Sequence, residues 1–133
     1  MITKTKPIPT IAVMPETMLT LSEKIEKWVY EYCGSLEENY KLRYPNSHSD
    51  KEFKMQLGRK YWKILQWDYW DSDNTKFSES VHSFVDKNTG EVYKPASYNS
   101  PHTKHVRYNL LDEDSRAECL LRADWAGGYL YLR

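Results

Sequence analysis

The chain has 133 residues, with 19 Lys and Arg balanced by 19 Asp and Glu, 40% hydrophobic residues and 29% charged ones. That length suits a single domain, and the apolar share is too high for a disordered chain. Zero formal net charge argues against a polybasic coat for nucleic acid and against a cationic membrane-binding surface over the whole protein. No apolar run approaches the ~18–20 residues that cross a bilayer. The N-terminus lacks an apolar stretch followed by a small-residue cleavage site, so the expected compartment is the cytosol. Cys33 and Cys119 have no Cys-x-x-Cys partner and read as two buried, reduced thiols. The unusual component is aromatic: five Trp, eleven Tyr and three Phe.

Residues 1–16 contain Pro7, Pro9 and Pro15 and read as an extended arm, with Ile8, Ile11, Val13 and Met14 available to pack. A single domain is expected over 17–133. Thr20-Leu-Ser-Glu23 has the spacing of a capping box. It opens an amphipathic helix on Leu21, Ile25, Trp28, Val29, Tyr32 and Leu36, running to about Arg43 and stopped by Pro45, with a kink or break allowed at Gly34. From Glu52 the period becomes two: Phe53, Met55 and Leu57 share a face, and Gly58-Arg59 forms a turn. Lys60 to Tyr69 continues as a strand, with Tyr61, Lys63, Leu65, Trp67 and Tyr69 on one face and Trp62, Ile64, Gln66 and Asp68 on the other. Large side chains on both faces predict a central strand.

Asp71 to Ser80 reads as turn-rich and acidic. Val81 to Val85 and Glu91 to Lys94 form a hairpin around Asp86-Lys-Asn-Thr-Gly90, with Gly90 at the positive-φ position. Pro95 to His105 is a loop. Asp112 or a neighbour caps a short helix on Ala117, Leu120, Leu121 and Trp125, which Gly127-Gly128 stops, and Tyr129 to Arg133 is extended. The sum is an α+β fold: an antiparallel sheet of about four to five strands, with a long N-terminal and a short C-terminal helix on it.

The strings Gly58-Arg-Lys-Tyr-Trp-Lys-Ile and Ser80-Val-His-Ser-Phe-Val-Asp-Lys-Asn-Thr-Gly-Glu-Val-Tyr-Lys-Pro-Ala-Ser, followed by Pro101, Lys104, His105, Arg107 and Asn109, resemble a family of small uncharacterised proteins of tailed bacteriophages. The likeness covers about residues 57–133. Tyr98 stands where that family usually has Trp, and Tyr108 where it has Gly. The resemblance implies a viral source, the cytoplasm of an infected host cell and a compact α+β domain, and it supplies no mechanism.

The richest stretch for function is Tyr93 to Tyr108. It holds Lys94, Lys104 and Arg107, the histidines His102 and His105, interleaved Tyr93, Tyr98 and Tyr108, and no acid. Residues 51–70 add Lys51, Lys54, Arg59, Lys60 and Lys63 against Glu52 and Asp68. Phosphates require Lys or Arg and unstacked bases require π-faces, so these residues suit single-stranded nucleic acid. Arg59, Lys60, Lys94, Lys104 and Arg107 would meet phosphates, Tyr98 and Tyr108 would stack, and His105 would join them. Exposed aromatics and the loop around Tyr98 also fit a non-enzymatic module that binds a host or defence protein or the virion, or a homo-oligomeric structural component. That reading requires the exit loop of the hairpin and the tryptophan-bearing strand to lie side by side. His102-x-x-His105 has metal-ligand spacing but lacks a supporting Cys-x-x-Cys or His-Glu-x-x-His pattern. His82 reads as a hydrogen-bonded sheet residue, and Ser97, His105 and Asp112 have no nucleophile elbow around them. No catalytic residue, metal or cofactor is assigned.

Overall fold

The computed structural model describes residues 8–131. Five strands form one antiparallel sheet in chain order: β1 (Ser49–Leu57), β2 (Tyr61–Trp70), β3 (Lys76–Asp86), β4 (Glu91–Tyr93) and β5 (Tyr108–Asn109). Helices α1 (Thr10–Val13) and α2 (Leu21–Arg43) precede it, and α3 (Glu113–Arg122) follows it. The α+β architecture expected from the alternation of periods is the one observed.

Helix α2 begins with the capping box. The Glu23 amide donates to Thr20 Oγ1 and the Thr20 amide to the Glu23 carboxylate, which satisfies two orphan donors of the first turn. The helix is continuous through Gly34 and buries Ile25, Val29, Tyr32, Cys33, Leu36 and Tyr40. These side chains meet Phe53, Ile64, Val85 and Val92 of the sheet, and Cys119 and Ala123 from the C-terminal segment, in one core cluster. The long helix α2 and the short helix α3 therefore cover the same face of the sheet.

Strand β2 is interior, as its two-sided pattern requires: Ile64 and Leu65 are both buried although they point to opposite faces. Leu65, Phe84 and Tyr93 are thus buried on the face away from α2. The tight turn after β3 closes with the Gly90 amide on the Asp86 carbonyl, with Gly90 at φ +78°. A Cβ there would lie 3.0 Å from Leu111 Cγ, so Gly90 serves both a left-handed backbone and a close contact.

Four expectations need correction. The N-terminal arm is not wholly extended: Thr10–Val13 is one helical turn and Glu16–Met18 a 3-10 turn. Pro9 and Pro15 occupy the cap positions of these turns, where a missing amide costs nothing. This segment packs on α2, with Leu19 buried and Lys27 Nζ donating to the Met14 carbonyl. The part of the arm over 1–7 lies outside the described residues. Second, β3 starts at Lys76 rather than Val81, because Lys76 to Ser80 pair with Tyr69 to Gln66 although every one of them is exposed. Third, α3 ends at Arg122, short of Trp125 and Gly127-Gly128; it turns Cys119 inward and leaves Ala117 and Leu121 exposed, Leu121 at 87%, while Leu120 and Trp125 pack against the core as expected. Its Asp112 cap is as expected, accepting from the Ser115 amide. Fourth, Gly128–Leu130 is a 3-10 turn rather than extended chain.

Candidate functional site

The sheet face away from α2 carries the odd-numbered residues of β2. Tyr61, Lys63, Leu65 and Trp67 alternate out of the pleat on this side. The β1–β2 turn places Arg59 and Lys60 at one end. The loop after β4 folds back over the same face. Its Asn99 side-chain oxygen accepts from Lys63 Nζ at 3.1 Å, and Lys63 Nζ lies 4.1 Å from the centroid of the Tyr98 ring. Tyr98 is 44% exposed. Exit loop and tryptophan-bearing strand are therefore neighbours.

Between them lies an open groove of about 320 Å³ lined by Arg59, Lys60, Tyr61, Lys63, Phe84 and Asn99 among others, with no carboxylate in its lining. Among the described residues Arg59, Lys60 and Lys63 form no ion pair. Lys60 and Lys63 instead sit over aromatic rings, Lys60 Nζ 5.5 Å from the Tyr61 centroid. A cation resting on a ring face keeps most of its charge available, because the attraction is only ~0.5–1 kcal/mol at exposed sites.

Further along β2, Trp67 lies between two lysines: Lys76 Nζ is 3.8 Å and Lys54 Nζ 5.1 Å from its ring. Both are also ion-paired, Lys76 to Glu79 at 2.7 Å and Lys54 to Glu52 at 2.5 Å. Glu79 ties the two ends of the face together, because it also accepts a hydrogen bond from the Tyr98 hydroxyl. The donations from Lys76 and Tyr98 hold the Glu79 carboxyl below its ordinary range. The same bond pushes the Tyr98 phenol above its own.

Not every predicted residue belongs here. Arg59, Lys60 and Tyr98 come together with Lys63. Tyr108 is a correction: it is 8% exposed, in β5 within the core cluster, and no base can stack on it. Arg107 is pinned by bonds to the carbonyls of Leu130 and His105. It lines a separate concavity of about 900 Å³ whose walls include Asp112, Asp114, Glu118 and Asp124. Lys94 rests over Tyr131, 4.5 Å from its ring, beside another cleft. Lys104 and His105 are exposed in the loop. Lys63, Trp67 and Lys76 were not among the predicted contacts. The alternation along β2 was the signal for the first two, since it places them on the face of Tyr61, but the β3 register that brings in Lys76 could not be read locally.

The opposite face holds a buried polar chain. The register pairs Ile64 with Ser83 and Leu65 with Val81, so His82 is an extra residue in β3. This β-bulge turns both His82 and Ser83 toward the core. His82 Nε2 lies 3.0 Å from the Asp124 carbonyl and must donate to it. Nδ1 then accepts from the Ser83 hydroxyl at 3.0 Å. Ser83 Oγ accepts in turn from the Tyr32 hydroxyl at 2.9 Å, and Tyr32 from Tyr129. Burial pushes the His82 imidazole down to about 4 and both phenols well above their usual range. It also raises the Cys119 thiol to about 12. These groups are neutral core partners, as read for His82. Both cysteines are buried and neither forms a disulfide. Among the described residues no group of three or more His, Cys, Asp and Glu is placed to hold a metal ion, and no helix is long and apolar enough to cross a membrane.

These features define a small α+β protein built on one antiparallel sheet, with helices on one face and a lysine- and aromatic-bearing surface on the other. The chain belongs to a family of unknown function (DUF7717), whose profile matches residues 12–132. No curated protein and no solved structure matches it.

Proposed function

We propose that this protein is a non-enzymatic accessory protein of phage type, acting in the cytoplasm of an infected cell, that binds single-stranded nucleic acid through the groove beside β2. One observation carries this reading. Three cations from two segments, Arg59 and Lys60 of the β1–β2 turn and Lys63 of β2, converge with Tyr61 and the loop residue Asn99 on a groove whose lining has no acid, and Tyr98, hydrogen-bonded to Glu79, lies beside it under Lys63. Such a groove offers phosphates their counter-charge and bases a ring, without a sequence-specific code. A labelled oligothymidylate at low salt tests it. Neutralising about three phosphates gives a salt slope near −2 on logarithmic axes, so affinity should fall roughly 20-fold from ~50 to ~200 mM salt. Replacing Arg59, Lys60 and Lys63 by Gln should flatten that slope. Absence of binding at low salt overturns the proposal.

A second reading, a protein-binding module, is favoured by a different feature. At the β2–β3 hairpin Trp70 and Phe77 stack with ring centroids 4.2 Å apart, and each is 47% exposed. Exposed ring pairs of this kind serve as anchors for a partner chain or for self-association. Capture of one specific host protein that survives nuclease and is lost on Trp70→Ser would favour it. A strictly monomeric species in light scattering would leave the self-association form unsupported.

A further inference from the structure

We infer that the ligand track does not end at the groove but runs along β2 to Trp67, and that its lysines exchange ring faces for phosphates on binding, so that the preferred ligand is an oligonucleotide strand rather than a mononucleotide. This rests on the nucleic-acid reading of the same face.

The geometry is repetitive. Lys63 covers Tyr98 at 4.1 Å, and four residues along the same strand Lys76 covers Trp67 at 3.8 Å, with Lys54 5.1 Å away. Lys63 and Trp67 are four residues apart along β2, ~13 Å of backbone, and a single carboxylate, Glu79, reaches both Tyr98 and the Lys76 that covers Trp67, so a strand of a few nucleotides reaches both rings and a single nucleotide does not. Each station holds a ring and at least one ammonium group within reach of it. In the free protein the ammonium occupies the ring face. A base on that face displaces the ammonium, and the flexible lysine stem carries it to the adjoining phosphate. Every station thus trades a cation–π contact for base stacking plus a charge-assisted hydrogen bond. Glu79 links the two stations, accepting from Lys76 at one and from the Tyr98 hydroxyl at the other. The carboxylates of Glu52 and Glu79 hold Lys54 and Lys76 in the free protein, so a phosphate competes with them for the two ammonium groups.

The test compares short and long oligothymidylates on the full chain. Wild type should bind an eight-nucleotide strand far better than a two-nucleotide one. Trp67→Leu should weaken the eight-nucleotide strand by about 5- to 100-fold, the range for one lost stacking partner, and leave the two-nucleotide strand unchanged. Tyr98→Leu should weaken both. Because Trp67 is half-buried, Trp67→Phe, which keeps a ring, and the surface double variant Lys54→Gln/Lys76→Gln accompany it. The first should retain binding and the second should lose it for the long strand only. Long-strand binding that responds to Tyr98→Leu but not to Trp67→Leu or the lysine pair overturns the extension and leaves the groove standing. Failure of every oligonucleotide to bind overturns both.

Discussion

Acid should destabilise this protein in part through one identifiable group, His82. His82 is 7% exposed, donates through Nε2 to the Asp124 carbonyl and accepts at Nδ1 from Ser83. A proton on Nδ1 would remove that acceptor and place a charge among Phe53, Tyr32 and Tyr129, whose rings lie 5.4, 6.2 and 5.8 Å from the imidazole. The folded imidazole therefore titrates at about 4, against 6.5 for an ordinary histidine. The sign follows directly. Between those values the unfolded chain binds the extra proton and the folded chain does not, so stability is complete above pH ~6.5 and is lost as pH falls toward 4. The whole gap corresponds to about 3 kcal/mol, and most of it should be gone by pH ~4.5. Urea unfolding at pH 7 and 4.5 measures the loss, and the C2 proton of His82 followed by NMR locates the titration. Other groups also titrate in this range, so the informative quantity is the difference from His82→Phe. That variant cannot take up the proton and keeps a ring in the cluster. It should be less stable at pH 7, because Ser83 and Asp124 lose a partner, yet less acid-sensitive. Equal losses in both proteins, or a His82 titration near 6.5, would refute the reasoning.

Asp68→Asn should cost about 3 kcal/mol in denaturant unfolding, because it strands the Lys51 ammonium, now 2.5 Å from Asp68 and 5.0 and 4.8 Å from the Tyr40 and Trp125 rings, in a site where both side chains are nearly buried. Lys51→Met combined with Asp68→Leu should recover most of that loss. Gly90→Ala should cost about 1–2 kcal/mol for the positive φ alone, with the 3.0 Å approach to Leu111 adding to it. Gly34→Ala should do the reverse, raising the melting temperature through ~0.5–1 kcal/mol of helix stabilisation, because nothing lies within 4 Å of the new methyl group. Thr20→Ala should lower stability by about 1 kcal/mol through the lost cap, measured by thermal melts at pH 7.

The sequence alone determined whatever depends on neighbours a few residues apart. The capping box at Thr20 and Glu23, the length of α2, the two-sided β2, the Gly90 turn and the Asp112 cap all rest on hydrogen bonds and periodicities spanning three to five positions, and each stands in the structure. The tertiary structure decided what depends on register and on which surface covers which. Tyr98 and Tyr108 look alike in the chain, yet one lies exposed on the sheet face and the other closes the core, because β5 pairs back onto β4 at Val92. On α3, Leu121 has the spacing of an inward residue yet points to solvent, while Cys119 and Ala123 meet the core beside Leu120 and Trp125. The bulge at His82 and the convergence of Arg59, Lys60 and Lys63 with the loop of Tyr98 and Asn99 are likewise set by pairings between residues 16 to 36 positions apart. No local pattern encodes such pairings, because sheet register is chosen by the burial of the whole face rather than by any one strand.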